Sequence, residues 1–202
     1  DAFLRDKRAN KVLTGGLVGM AMLIADNVPV SDATIMNVRR ASSDYDAAIL
    51  RSRALLNEYR AHIELPSDIA YATGAQRHNL SLATDGKIPM ISEEFGDIGI
   101  ETIGRYVDDI CQAKTIIING PVGRYESLPM ALGTQQILQY SAYAATENRA
   151  LVLIGGGDTS AALDGIIGVG NIMQCSAGKA FLEVLSSGHV KDLPGIMALA
   201  RV

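Results

Sequence analysis

The sequence predicts an α/β fold: a three-layer, Rossmann-like domain in which helices cover a mostly parallel sheet of about five strands. Two apolar runs, Thr115–Ile118 and Leu151–Ile154, each lead directly into a turn that contains glycine. Such runs are typical of strands buried on both faces, as in a parallel sheet. Helix-like segments follow both turns, and this alternation indicates successive βαβ units.

Strand-like and helix-like segments alternate along most of the chain. The strand candidates are Lys11–Leu13, Ile69–Ala72, Thr115–Ile118, Leu151–Ile154 and Ile172–Cys175. The helical candidates are Ser43–Arg60, Ile100–Gln112, Gly133–Ala145 and the segments that begin with Ser160–Leu163 and with Ala177–Leu185. Asp85–Pro89 is typical of a loop rather than a linker, so we expect residues 1–202 to form one domain.

Composition excludes several classes of protein. Hydrophobic residues make up 48% of the chain and charged residues 20%, an ordinary globular balance. The net charge of −4 and the lack of a basic block argue against nucleic acid as a partner. No apolar stretch reaches the roughly 20 residues of a membrane span. Cys111 and Cys175 belong to no Cys-x-x-Cys pair, so we expect reduced thiols in a cytoplasmic protein.

Three consecutive glycines, Gly155, Gly156 and Gly157, are the sharpest local signal. They cost backbone entropy and make sense where the backbone curls closely around a ligand. Asp158 and Thr159 follow, and one interpretation is that they cap free N–H groups at a helix start. The functional interpretation is that the turn binds nucleotide phosphates while Asp158 holds a hydrated Mg²⁺. The string matches neither the Gly-x-Gly-x-x-Gly dinucleotide motif nor the P-loop.

A second turn, Asn119-Gly120-Pro121, closes the strand candidate Thr115–Ile118. Asparagine offers a donor and an acceptor there, and proline fixes the direction in which the chain leaves. Glu126 lies seven residues beyond Asn119 and could accept hydrogen bonds from ribose hydroxyls. The alternative is an ordinary turn followed by a surface glutamate.

Taken in order, these motifs resemble the C-terminal, nucleotide-binding half of phosphoglycerate kinase. Each motif alone is moderately specific, but together they follow the family's order over nearly the whole chain. The Leu-Thr-Gly-Gly form of the first motif is nearer to archaeal members of the family. The matching segments are Val12–Gly16, His62–Asp68, Asp97–Thr102, Asn119–Glu126, Gly133–Thr134, Gly155–Thr159, Leu193–Gly195 and Ala198–Leu199.

The resemblance implies phosphoryl transfer between 1,3-bisphosphoglycerate and Mg-ADP, which gives 3-phosphoglycerate and Mg-ATP. Chemistry of this kind depends on positioning and on charge stabilisation. The implied cofactor is Mg²⁺, held by Asp158, and the implied catalytic positions are Thr159, Gly178 and Lys179. The implied nucleotide-binding residues are Gly15 and Gly16 beside the base, Asn119, Gly120 and Pro121 along the site, Glu126 at the ribose, and Gly155, Gly156, Gly157, Asp158 and Thr159 at the phosphates.

The last glycine turn departs from the family's pattern. The family has Thr-Gly-Gly-Gly-Ala-Ser there, whereas this chain has Ser176-Ala177-Gly178-Lys179-Ala180-Phe181. Ala177 and Lys179 put side chains where bare backbone would face the moving phosphoryl group. Lys179 either acts as a cationic clamp or points to solvent. The second possibility leaves a non-catalytic or repurposed nucleotide-binding relative as the alternative function.

The resemblance also implies missing parts. The family's C-terminal half begins with a strand that is absent here, which would give six strands in the parent protein, and its N-terminal half holds the phosphoglycerate substrate. We therefore expect this piece alone not to complete phosphoryl transfer. An unrelated doubly wound domain, such as a dehydrogenase module, is a further alternative that the lack of Gly-x-Gly-x-x-Gly disfavours. The sequence does not define the oligomeric state.

Overall fold

The fold consists of alternating helices and strands, seen in a computed structural model that describes residues 1–82, 92–163, 171–175 and 178–187. The predicted loop Asp85–Pro89, the residues Ser176 and Ala177 and the C-terminal motif at Leu193–Gly195 lie outside these ranges. The helices are α1 (Ala2–Arg5), α2 (Gly16–Ala25), α3 (Asp32–Ala41), α4 (Tyr45–Tyr59), α5 (Ile100–Gln112), α6 (Leu132–Glu147), α7 (Gly157–Leu163) and α8 (Gly178–Ser187). The strands are β1 (Val12–Leu13), β2 (Ile63–Glu64), β3 (Asp68–Thr73), β4 (Gln76–Ser81), β5 (Asp97–Ile98), β6 (Thr115–Asn119), β7 (Leu151–Gly155) and β8 (Ile172–Cys175).

The parallel sheet β6–β7–β8 was predicted correctly. Its strands stand in chain order, with α6 between β6 and β7. The register places Asn119 beside Gly155 and Gly155 beside Cys175, so the carboxyl ends of the three strands are level. Apolar side chains of β6 and β7 pack with those of α5 and α6 in the largest core cluster, which includes Ile103, Tyr106, Ile116, Leu138 and Ile154. The α/β fold class is confirmed, and a second parallel pair joins β1 to β2.

One predicted strand differs in its partners. Ile69–Ala72 lies within β3, but β3 is the central strand of the antiparallel sheet β4–β3–β5. Ile69 and Ala70 are fully buried, which gave the run the apolar character of a parallel strand. The signal for a hairpin was the two-residue connection at Gly74 and Ala75, where Gly74 has a φ of +62°, as a tight hairpin turn favours.

Helices α2 and α3 are not among the helical candidates from the sequence. The run in α2, Gly-Leu-Val-Gly-Met-Ala-Met-Leu-Ile-Ala, is almost uniformly apolar, so it carries little amphipathic signal, and six of its ten residues are buried. The start of α3 is fixed by Ser31, whose hydroxyl accepts the N–H of Thr34 at 3.2 Å. Met20 and Leu23 of α2 pack with Val38 of α3 in a second core cluster.

Helix α5 begins at a buried carboxylate supplied by β3. Asp68 accepts the N–H groups of Glu101 at 3.0 Å and of Thr102 at 2.8 Å, and the hydroxyl of Thr102 at 2.6 Å. A Cβ on Gly99 would lie 2.2 Å from the Asp68 carboxyl group, so only glycine fits before this helix. The motif residues Asp68, Gly99 and Thr102 therefore form one structural unit that joins α5 to the antiparallel sheet.

Tyr106 of α5 ties this helix to the first two strands. Its ring is 1% exposed, and its hydroxyl lies 2.9 Å from the carbonyl oxygen of Thr14 and 3.0 Å from that of Glu64. Burial raises the pKa of the Tyr106 phenol well above its ordinary value, although hydrogen bonding to Thr14 opposes this shift.

Because the Tyr106 phenol is buried, the free energy of unfolding should fall measurably at alkaline pH. Above pH 10 the unfolded chain loses the phenolic proton while the folded chain keeps it, so this group's contribution to the free energy of unfolding falls as pH rises. We expect Tyr106→Phe to cost about 1 kcal/mol at pH 7 through the lost hydrogen bond. The variant's stability should also decline less steeply above pH 10, by up to about 1.4 kcal/mol per pH unit.

Urea unfolding between pH 7 and pH 11 measures both effects. Tyr140→Phe is the matched control, because the Tyr140 ring is 37% exposed. An alkaline slope that Tyr106→Phe leaves unchanged would contradict the assignment.

Candidate functional site

The candidate site lies at the carboxyl ends of the parallel strands, where three glycine turns meet. Asn119 ends β6, Gly155 ends β7, and α8 begins at Gly178, three residues after the end of β8. Because these strand ends are level, the turns that follow them share one edge of the sheet. This edge is where α/β proteins place their ligands.

The Asn119 side chain is the point of contact between the turns. A Cβ on Gly155 would lie 2.8 Å from Asn119 Oδ1, and a Cβ on Gly178 would lie 3.0 Å from the same atom. The same Cβ on Gly178 would lie 3.0 Å from the Cα of Gly156. Glycine at 155 and 178 thus lets the backbone approach Asn119 closely.

A buried hydroxyl joins the first two of these turns. Thr159 is fully buried, and its Oγ1 accepts the N–H of Gly120 at 2.9 Å. The hydroxyl therefore binds the neighbouring turn. Gly120 and Gly156 have φ values of +93° and +97°, the left-handed region that favours glycine. The Gly156 N–H is donated to the Cys175 carbonyl at 2.9 Å, which links the second turn to β8.

The first glycine pair of the chain packs against the Asn119–Pro121 turn. Gly16 donates its N–H to the carbonyl of Val122 at 2.8 Å. A Cβ on Gly16 would lie 2.7 Å from the carbonyl oxygen of Pro121, and one on Gly15 would lie 2.7 Å from the Cβ of Val122. The start of α2 is thereby brought beside the candidate site, although more than 100 residues separate the two segments.

Two carboxylates from different turns lie within electrostatic reach of one phenol. Glu126 and Asp158 are both exposed. Partial burial raises the pKa of Tyr125, and the negative charges of Glu126 and Asp158 raise it further. The structure therefore brings these two predicted site residues to the same neighbourhood. Tyr125 itself was not predicted as a site residue.

A buried ion pair that was not predicted from the sequence lies against the loop between Gly123 and Pro129. Arg77 Nη1 of β4 lies 2.7 Å from Asp97 Oδ2 of β5. The Asp97 carboxylate also accepts the N–H of Gly133 at 2.7 Å. Burial raises the pKa of Asp97, whereas the hydrogen bonds from Gly133 and Arg77 oppose that shift. Asp97 stood in a motif, but no local pattern marked Arg77 as its partner.

No metal cluster built by the protein alone is present in the described ranges. There, no three His, Cys, Asp or Glu side chains come together as possible ligands. Asp158 offers one exposed carboxylate beside the glycine turn. That arrangement fits Mg²⁺, which commonly takes one or two carboxylates together with substrate phosphates and water. In the same ranges, no helix is long and apolar enough to cross a membrane.

A family model described as phosphoglycerate kinase matches residues 3–188. The chain belongs to the phosphoglycerate kinase family. Phosphoglycerate kinases of Thermoplasma volcanium and Chloroflexus aurantiacus are 32% and 35% identical to it, and the alignments cover 98% and 95% of this chain. The phosphoglycerate kinase of Halobacterium salinarum is 31% identical over 95% of the chain. Archaeal relatives are thus among the matches, as the Leu-Thr-Gly-Gly motif predicted.

The same fold occurs in a solved phosphoglycerate kinase structure. The crystal structure from Pyrococcus horikoshii superposes with a TM-score of 0.82 at 23% identity, over 97% of this chain and 47% of that one. The alignments to the Thermoplasma and Chloroflexus kinases each cover 46% of the relative. The chain thus spans about half the length of the phosphoglycerate kinases that it matches.

The structure brings most of the predicted site residues together at one edge of the sheet. The contacts described above link nine of them: Gly15, Gly16, Asn119, Gly120, Pro121, Gly155, Gly156, Thr159 and Gly178. Glu126 and Asp158 lie within electrostatic reach of Tyr125, and Gly157 opens α7. The backbone of Lys179 lies in the first turn of α8, and its side chain lies outside what the structure describes. The roles of these residues toward a nucleotide stay predictions.

The glycines of the β7 turn should differ sharply in their tolerance of a side chain. A Cβ on Gly155 would lie 2.3 Å from the Phe181 ring, whereas one on Gly157 would meet none of the described atoms within 4 Å. We expect Gly155→Ala to lower the free energy of unfolding by about 1–3 kcal/mol through overpacking. Gly157→Ala should leave stability unchanged or raise it by up to about 1 kcal/mol.

Urea unfolding of the two variants checks this prediction. Gly157→Ala serves as the matched control because it makes the same change in the same turn. Equal effects of the two substitutions would contradict the close approach at Gly155.

Proposed function

We propose that this chain is the nucleotide-binding half of a cytoplasmic phosphoglycerate kinase. The complete enzyme would transfer a phosphoryl group between 1,3-bisphosphoglycerate and Mg-ADP, giving 3-phosphoglycerate and Mg-ATP. The observation that carries the proposal is the close approach of Gly155 and Gly178 to Asn119 at the strand ends, with Asp158 and Glu126 both within electrostatic reach of Tyr125. Family membership and the shared fold support it.

The glycine turns leave room for phosphate groups against bare backbone. Among the described residues, a Cβ on Gly120 or Gly157 would meet nothing within 4 Å. The Gly120 N–H already donates to Thr159, whereas the N–H of Gly157, at the start of α7, can donate to a phosphate oxygen without interference from a side chain. The fully buried Thr159 hydroxyl accepts from Gly120 and so would hold the Asn119–Pro121 turn in place beside the phosphates.

Asp158 is the residue that would hold Mg²⁺. Its carboxylate is exposed and makes no hydrogen bond or ion pair with the residues that the structure describes. Bound there with the nucleotide, Mg²⁺ would neutralise negative charge on the phosphates during transfer. This chain's own contribution is to hold the nucleotide in one orientation, since phosphoryl transfer depends on positioning.

The base and the ribose would lie toward α2 and Glu126. Leu17 and Val18, in the first turn of α2, are exposed apolar side chains directly after Gly16. An adenine ring is a suitable partner for such a surface because it buries apolar area on binding. The Glu126 carboxylate is exposed and would accept hydrogen bonds from the ribose hydroxyls.

Phosphoglycerate binding and closure over the transferred group would come from the half that the relatives possess beyond the matched region. We therefore propose that the 202 residues bind nucleotide but do not complete phosphoryl transfer alone. Steady turnover by the purified chain would overturn that part of the proposal.

Calorimetric titration with Mg-ADP tests the proposal. We expect Asp158→Ala and Glu126→Ala each to weaken binding roughly tenfold, because each removes a charged contact to the ligand. Asp46→Ala is the matched control: Asp46 is also an exposed aspartate in the first turn of a helix, α4. Omitting Mg²⁺ should reproduce the Asp158→Ala affinity and abolish that variant's effect.

The decisive comparison is between the two site variants and the control. Binding that Asp46→Ala weakens as much as Asp158→Ala does would point to a general charge effect. A folded chain that does not bind Mg-ADP would overturn the proposal.

The altered last turn supports an alternative, a nucleotide-binding relative without kinase activity. Lys179 stands where the family has glycine, at the second residue of α8. If Lys179 stabilises the moving phosphoryl group, Lys179→Gly in the complete enzyme should lower kcat at least tenfold. Lys114→Gly is the control. Unchanged or higher turnover in Lys179→Gly would reject the clamp, and the absence of turnover in the unmodified enzyme, with ADP still bound, would favour the alternative.

A further inference from the structure

The buried ion pair between Arg77 and Asp97 contacts the loop that carries Glu126 on both sides of that residue. Arg77 Nη1 donates to the carbonyl of Pro129 at 3.0 Å as well as to Asp97 at 2.7 Å. Arg77 Nη2 donates to the carbonyl of Ile98 at 2.7 Å. The Asp97 side chain is fully buried, and that of Arg77 is 14% exposed. One guanidinium thus connects the antiparallel sheet to the chain that follows Glu126.

The Asp97 carboxylate holds the other side of the same loop. A Cβ on either Gly123 or Gly133 would lie 2.3 Å from Asp97 Oδ1, so both backbones press directly against the carboxyl group. Gly123 also donates its N–H to Thr134 Oγ1 at 3.3 Å, next to Gly133. Glu126 lies three residues after Gly123 and three residues before Pro129. The ion pair therefore contacts the loop three residues before Glu126 and three residues after it.

Glu126 depends on this backbone support. Its side chain is exposed and makes no hydrogen bond or ion pair within the described part of the chain. The direction of its carboxylate is thus set by the loop and not by a side-chain partner. A shift of about 1 Å in such a loop is enough to lose a hydrogen bond to a ligand.

A buried ion pair such as this one is weak evidence for a gain in net stability. Burying both charges costs desolvation, and apolar residues of similar volume often replace buried ion pairs without loss. The raised pKa of Asp97 has the same physical cause, its burial. A role in fixing one loop conformation explains the pair better than a gain in stability.

We propose that Arg77 and Asp97 are positioning residues that hold Glu126 in place for the ribose of the nucleotide. The inference rests on the proposed function and adds the specificity of the same site for ribose hydroxyls. Neither residue touches the ligand; both act through the backbone between Gly123 and Pro129.

A double-mutant cycle in Mg-ADP binding by the full chain tests the inference. Asp97→Asn keeps the shape of the side chain but weakens the attraction to Arg77, and we expect it to reduce affinity about as much as Glu126→Ala does, roughly tenfold. In the Asp97→Asn background, Glu126→Ala should then change affinity less than twofold. Asp158→Ala should keep its full effect in that background, which shows that the rest of the site is intact.

A second ligand gives a readout that general loss of structure would not move. The unmodified chain should prefer ADP to 2′,3′-dideoxy-ADP about tenfold, and Asp97→Asn should remove that preference. Arg77→Lys is the second variant in case Asp97→Asn does not fold, because it keeps the positive charge but cannot span Asp97, Pro129 and Ile98 together. Asp109→Asn breaks the exposed pair with Lys11 and is the control that should change nothing.

The outcomes separate the two proposals. Equal effects of Glu126→Ala with and without the Asp97 substitution would overturn the positioning role and leave the nucleotide site standing. An effect of Asp158→Ala without any effect of Glu126→Ala would also overturn it, because Glu126 would then make no contact. If neither substitution weakens Mg-ADP binding, the proposed function fails and this inference fails with it.

Discussion

The site depends on one steric constraint, the absence of side chains at Gly155 and Gly178, which approach the amide of Asn119 at the end of β6. The parallel register makes the carboxyl ends of β6, β7 and β8 level, so Asn119, Gly155 and Cys175 lie side by side at one edge of the sheet. A methyl group at Gly155 would lie 2.8 Å from Asn119 Oδ1, and one at Gly178 would lie 3.0 Å from it, which is tighter than ordinary van der Waals contact. The glycines thus serve the packing of the turns on one another before they serve any ligand, and a ligand would inherit a backbone surface that this packing has already shaped.

How far the sequence predicts this structure depends on how local each signal is. Strands β6 and β7 and their glycine turns could be predicted, because apolar runs and glycines are adjacent in the chain. The antiparallel partners of β3 were missed, because the buried Ile69 and Ala70 look the same in either kind of sheet and the short connection at Gly74 was the one local signal for a hairpin. The contact of Gly16 with Val122 and the pairing of Arg77 with Asp97 were also missed, since both join segments that are distant or that lie on non-adjacent strands.

Several residues that carry the family resemblance hold the fold together and lie outside the candidate site. Asp68 and Thr102 belong to two separate motifs, yet they bond to each other and start α5. Gly133 belongs to a third motif and packs against the Asp97 carboxylate. The ordered set of motifs was therefore a better guide to the fold than to the chemistry, because motif residues of both kinds look alike in a sequence.

The single hydrogen bond from Gly120 to Thr159 has a consequence for communication between the turns. Because the Thr159 hydroxyl is fully buried, it joins the ends of β6 and β7 from inside the protein. A group that displaces the turn after β7 would therefore also displace Gly120 at the end of β6. The two strand ends are mechanically coupled through this one bond.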